Sequence, residues 1–158
     1  MADMPQADYL ASTVCYQDPK AALRWLEDAF GFEPSLVVLN DQDQLVHSEM
    51  RFGASRIMVG GEAPPSGQSP ASIGGVNTQK VHAQLTSGLD EHCARARAAG
   101  ALILREPETM FYGDRNYVAA DPEGHVWSFG QTINPMTQQD WETTGGVTVR
   151  ERLQEDGA

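Results

Sequence analysis

The sequence predicts an α+β domain made of two similar βαβββ halves. Three observations carry this reading: both halves run strand, helix, strand, strand, strand; a glycine closes each helix; and two landmarks recur at one spacing. Sixty-nine residues separate Gly31 from Gly100, the two helix ends, and 69 again separate Ile57 from Val126, which follow equivalent turns. A repeated order at one offset points to internal duplication.

The first half opens on a strand-like run, Tyr9 to Tyr16. Strand side chains alternate, so Val14 and Tyr16 face a helix while Ala11, Thr13 and Cys15 face the other way. Between Asp18 and Phe30, the residues Ala22, Trp25, Leu26, Ala29 and Phe30 form the apolar stripe of an amphipathic helix. Asp18 stands at its N-cap, Pro19 suits its first turn, and Gly31 ends it. Strands are predicted at Ser35 to Leu39, Val46 to Phe52 and Arg56 to Val59.

The second half repeats this order. A strand at Val81 to Thr86 puts Val81, Ala83 and Leu85 toward the helix and Lys80, His82, Gln84 and Thr86 on the opposite face. An alanine-rich helix follows from Leu89 to Ala99, with His92 expected to face solvent, and then strands at Leu102 to Arg105, Asn116 to Ala120 and Val126 to Phe129. Alternation in the last strand sends Trp127 and Phe129 beneath the helix and Ser128 to the opposite face. Between the halves, EAPPSGQSPASIGG reads as a mobile linker. Beyond Gln131 the polar tail, broken by Gly145 and Gly146, reads as poorly ordered or partner-dependent, with a strand-like arm at Val147 to Leu153.

Composition narrows the function. A chain of 158 residues with 41% hydrophobic content supports one core. No apolar run approaches the ~18 to 20 residues of a membrane span, and the N-terminus lacks a signal-peptide pattern, so a soluble, cytoplasmic protein is expected. The net charge of −11 argues against nucleic acid and favours a neutral or cationic small ligand. Cys15 and Cys93 read as free thiols, and the Gly60-Gly61 and Gly74-Gly75 pairs lack the spacing of a phosphate loop.

Two phrases go further. DPKAALRWLEDAFGFE, from Asp18 to Glu33, and YGDRNYVAADPEGHVWSFGQ, from Tyr112 to Gln131, resemble the opening helix and closing hairpin of the vicinal-oxygen-chelate superfamily of glyoxalases, bleomycin-resistance proteins and extradiol dioxygenases. The resemblance covers roughly Tyr9 to Gln131. It implies two βαβββ modules forming a cup-shaped mixed sheet, helices outside and ligand inside. The expected organisation is a single domain over residues 1–131, with module one at about 7–61, a linker at about 62–79 and module two at about 80–131, followed by a tail at 132–158.

Metal-using members of that superfamily carry one ligand on each of four strands, His or Gln on the first strands and Glu on the last. Here Ser128 stands where the closing phrase has Glu, Met58 or Val59 occupies the matching place in module one, and the first-strand position falls near Ala11. Only His82 remains, and one nitrogen donor does not hold a hard divalent ion. No metal and no cofactor are therefore expected; a rearranged set drawn from His47, Glu49, His82 and His125 is the alternative.

The cup-facing residues Thr13, Cys15, His82, Gln84 and Ser128 are the expected ligand contacts, together with Arg115, which at the rim would orient an anionic group or else lock its loop with Asp114. The resemblance then implies a metal-independent small-molecule-binding protein that sequesters an antibiotic or natural product, as a homodimer. A lyase or isomerase acting on a small carbonyl compound is the alternative, and an interaction protein with a filled cup is a further one.

Overall fold

A computed structural model describes residues 9–153. The expected starts of the domain at residue 1 and of module one at about 7, and the tail positions 154–158, lie outside them. Module one comprises β1 (Ser12–Tyr16), α1 (Pro19–Phe30), β2 (Glu33–Leu39), β3 (Leu45–Phe52) and β4 (Ser55–Gly61). Module two comprises β5 (Val81–Leu85), α2 (Leu89–Ala98), β6 (Leu102–Thr109), β7 (Asp114–Ala120) and β8 (Val126–Thr132). The sheets share one topology, β1-β4-β3-β2 and β5-β8-β7-β6, with the first strand of each module parallel to its last. The offset of 69 residues holds for the starts of β1 and β5, β2 and β6, and β3 and β7.

Local chemistry sets the helices. Asp18 Oδ1 accepts the Ala21 amide at 2.9 Å, Pro19 occupies the first turn, and Gly31 ends α1 at φ +73°, a left-handed conformation open to glycine. In α2, Asp90 and Glu91 lie in the first turn and Arg95 and Arg97 in the last, each sign matched to the helix dipole.

Each helix lies on one face of its own sheet, and the two helix-bearing faces share a single core. Leu26, Phe30, Phe32 and Met50 of module one meet Leu89, Tyr117, Trp127 and Phe129 of module two, with Phe30 centred 4.7 Å from Phe129 and 5.5 Å from Trp127. Burying each such side chain contributes on the order of 1.5–3 kcal/mol. Polar contacts fix the seam: Trp25 Nε1 donates to the Ala99 carbonyl at 2.8 Å, and Arg95 caps α1 through the Asp28 and Glu27 carbonyls at 2.6 and 2.7 Å. The helix-free faces of the two sheets therefore look away from the shared core.

That arrangement corrects the reading of His92. α2 is covered on two sides, by its own sheet and by the end of α1, so the His92 ring lies half-buried among Phe30, Phe52 and Phe129. Its Nε2 contacts the Phe30 carbonyl at 2.9 Å and its Nδ1 the Tyr117 hydroxyl at 2.6 Å. A carbonyl only accepts, so Nε2 carries the proton and Nδ1 accepts. Burial holds its pKa below the ordinary imidazole value.

Two segments are more structured than their composition predicts. In the inter-module segment Ser69 and Pro70 are buried, and a 3₁₀ turn forms at Pro70–Ile73. The reason is that Glu62 and Glu123 reach in to bind the Ser69 amide and hydroxyl. The tail, expected to be poorly ordered, forms α3 (Gln138–Gly145), started by reciprocal bonds between Thr137 and Asp140. Trp141 Nε1 donates to the Tyr112 carbonyl at 3.2 Å, and the Gly113 carbonyl accepts from the Ile133 and Asn134 amides. No strand forms at 147–153; the tail docks on the Phe111–Gly113 loop instead.

Candidate ligand-binding site

Strand register builds the site on the helix-free face of module two. Val81, Ala83 and Leu85 pack toward the core, as do Trp127 and Phe129, leaving His82, Gln84, Ser128 and Gly130 on the other face. His82 pairs with Ser128 across β5 and β8, and His82 Nδ1 lies 2.9 Å from Ser128 Oγ. Its Nε2 lies 3.1 Å from Gln84 Oε1, and Gln84 Nε2 donates to Asp114 Oδ2 and Thr132 Oγ1 at 3.1 and 3.2 Å. On β7, Asn116 Nδ2 donates to the Tyr112 hydroxyl at 2.6 Å. The face thus carries a polar network from His82 and Ser128 through Gln84 to Asp114 and Thr132, with the Asn116–Tyr112 pair standing separately beside it.

In module one the equivalent pair is Thr13 and Met58, joined by a contact of 3.7 Å from Oγ1 to the thioether sulfur. The four positions where the superfamily implies metal ligands are occupied by Thr13, Met58, His82 and Ser128. Met58, not buried Val59, faces this side, and the residue matching His82 in β1 is Thr13 rather than Ala11. One imidazole, two hydroxyls and a thioether do not suit a hard divalent cation, and both His82 nitrogens already have side-chain neighbours. The rearranged set does not assemble either. His47 Nε2 sits 3.6 Å from Glu49 on β3, whereas His125 Nε2 donates to the Cys15 carbonyl at 2.7 Å, away from His82.

Thr13 and Cys15 also line a separate cleft of about 380 Å³ between β1, the inter-module segment and the start of β8, bounded further by Gly67, Asn77 and His125. The Cys15 sulfur is pressed so closely on Gly67 that a Cβ there would overlap it. Burial, then the Glu62 carboxylate, raises the Cys15 pKa, which keeps the thiol protonated. Cys15 and Cys93 are both free.

Arg115 does not join the site. On β7 it shares the core-side register of Tyr117, and its guanidinium binds Asp90 of α2 through Nε at 2.9 Å and Nη2 at 3.2 Å. Asp114 turns to the other face and meets Gln84. The expected rim arginine is therefore a strand-to-helix clamp, because adjacent strand residues point oppositely. Sequence reasoning missed Asn116 and Gly130. Alternation from Ser128 already sends Gly130 to the same face, and an asparagine inside a strand-like run is itself unusual.

The duplicated sheets and the sequence that forms them match one family. The profile of the Glyoxalase/Bleomycin resistance protein/Dioxygenase superfamily covers residues 7–129. The chain belongs to that superfamily. It is 30% identical to TioX from Micromonospora sp. ML1, whose crystal structure superposes with a TM-score of 0.63 over 82% of this chain and 100% of that one. TnmS3, an antibiotic binding protein from Streptomyces sp. CB03234, shares the fold at 16% identity and a TM-score of 0.60, over 82% of this chain and 99% of that one. Protein Mb0911c of Mycobacterium bovis is 27% identical over 135 residues, 83% of this chain and 88% of its own length. Among the described residues, no helix is long and apolar enough to cross a membrane.

Proposed function

We propose that this superfamily member binds a small molecule without a metal ion, on the helix-free face centred on His82, Gln84 and Ser128, and that a second copy of the chain closes the cup. The observation that carries the reading is the donor set itself. Thr13, Met58, His82 and Ser128 offer hydrogen bonds and a soft sulfur where metal chemistry needs several charged or nitrogen ligands. What such a face does with its polar groups is orient a ligand. Thr13 and Cys15, on the same side of module one, would contribute from the facing half. TnmS3 illustrates that the fold accommodates an antibiotic, and a natural product of that kind is the ligand class proposed here.

Exposure supports the pairing. The outermost strands β2 and β6 leave Leu36 to Leu39 at 39–47%, Leu102 at 64% and Leu104 at 51% exposed, apolar edges that an isolated acidic chain has no use for. Docking module one of one copy against module two of another covers them and encloses the polar face.

Thermal-shift screening against bleomycin-like glycopeptides and other aromatic cations tests the ligand; stabilisation that disappears in His82→Ala is expected, and no response to any of them removes the antibiotic-binding reading. Metal analysis of the purified protein tests the other half. Stoichiometric nickel, zinc, manganese or iron would overturn it and favour a lyase or isomerase. Sedimentation at twice the monomer mass is the expected assembly state.

A further inference from the structure

On the face just described, three strands lie abreast so that Gln84 of β5, Gly130 of β8 and Asn116 of β7 form one row. Both flanking residues are primary amides, and both lean over the glycine. A Cβ on Gly130 would stand 2.5 Å from Asn116 Oδ1, 2.6 Å from Gln84 Oε1 and 3.1 Å from His82 Cε1. Two amide oxygens thus converge above a residue that has no side chain, and any other residue there would have to displace them.

The hydrogen-bond accounting of this row is incomplete. Asn116 is 6% exposed; its Nδ2 is used on Tyr112, and its Oδ1 has no partner among the described residues. A buried carbonyl-type oxygen that has left water without gaining a donor is a standing cost, relieved by whatever brings a donor to it. Gln84, in contrast, is exposed, so its side chain can swing aside and open the path to Asn116. The surroundings select among donors. Asp114 holds the Gln84 amide from one side, and Glu108 is the register partner of Asn116 on β6. Arg105 stands one pair further along, beside Val118.

We propose that the space above Gly130 is a subsite for a primary amine, in its protonated form, carried by the ligand: one N–H to Asn116 Oδ1, a second to Gln84 Oε1, with the acidic residues nearby balancing the charge. This rests on the small-molecule-binding reading and adds the group by which the ligand is recognised. A quaternary ammonium has the charge but no hydrogen to donate, and a hydroxyl has a single donor and no charge.

The test is an amide-resolved NMR titration of the full chain at neutral pH with three probes that differ only at this group: benzylamine, benzyl alcohol and benzyltrimethylammonium chloride. Saturable shifts of the Gly130 backbone amide and the Asn116 side-chain amide are expected with benzylamine, with Kd about tenfold or more weaker for the alcohol and no response at these amides to the quaternary ion. Asn116→Leu, which removes the orphaned oxygen, should abolish the preference, and Gly130→Ala, which fills the space, should do the same. Equal shifts from all three probes, no shift at either amide, or a preference that survives Asn116→Leu would each overturn the assignment; an ordered water that benzylamine does not displace is the second of these. A glycopeptide or aromatic cation that still stabilises the protein when the amine preference is absent leaves the binding reading standing and removes only the subsite.

Discussion

The Tyr16 hydroxyl donates to Asp121 Oδ2 at 2.6 Å, across the seam between the last residue of β1 and the turn that precedes β8. Asp121 also accepts the Trp127 indole N–H at 3.1 Å and, through Oδ1, the Glu123 and His125 amides at 3.0 Å each. Its neighbour Glu123 takes the Gln17 and Asp18 amides and the Ser69 hydroxyl. One turn thereby ties together both modules and the segment between them.

Removing the hub should cost more than removing a spoke. Asp121→Ala leaves four donors, two of them buried, without an acceptor and is expected to lose about 3 kcal/mol or more. Tyr16→Phe leaves one acceptor site empty and should lose about 1–2 kcal/mol. In the double variant the Tyr16 effect should shrink, since its partner is already gone. Urea denaturation of the four proteins measures this; additive losses would show that the pair does not act as a unit.

The His92 ring predicts a pH dependence with a definite sign. Burial, reinforced by Arg95, lowers its folded-state pKa. The unfolded chain, with an imidazole pKa of ~6.5, takes up a proton on acidification before the folded chain does. The stabilisation is therefore complete above pH ~6.5 and declines as pH falls below it. Melting temperatures between about pH 7 and about pH 5 should fall more steeply for the native protein than for His92→Gln, which keeps a donor and an acceptor but does not titrate.

Gly113 predicts how the tail is held. It sits at φ +92°, and a Cβ there would overlap the Asn134 carbonyl. Gly113→Ala should lose about 1–3 kcal/mol from backbone strain and shift the Trp141 fluorescence as α3 lifts from Tyr112. Unchanged fluorescence would mean that the loop and helix adjust together.

Arg115 separates structure from recognition. Because its partner is Asp90 on α2, Arg115→Ala should lower stability slightly, more so at low salt, and leave ligand affinity as it was. A loss of affinity without a change in melting temperature would return it to the site.

How much of this was legible in the sequence depends on the range of the interaction. The strands, helices and duplication follow from periods of 2 and 3.6 and from glycine stops, which are local signals, and the starts of three strand pairs keep the offset of 69. The fourth pair drifts, which is why Met58 and Val59 stayed undivided until register put Met58 opposite Thr13. The facing of His82, Gln84 and Ser128 was readable by alternation. His92 was not, because Phe30 and Phe52, which cover part of its ring, come from the other module; nor was the choice of Asp90 over Asp114 by Arg115, where the nearer charge in sequence lies on the far side of the strand. The tail looked structureless through its glycines, yet Thr137 and Asp140 carried a helix-start signal.

The two helix-free faces, turned away from one core, also govern how copies can add up. In the proposed assembly, docking of one kind of face onto the other would close when two chains do so mutually about a twofold axis, or when several complete a ring. A twofold pair would enclose two identical chambers. The same contact made at an angle that fails to return would leave one face open at each end and grow into a filament, so in the proposed assembly the angle between the modules, held by Tyr16, Asp121 and Glu123, would separate a finite particle from an endless one.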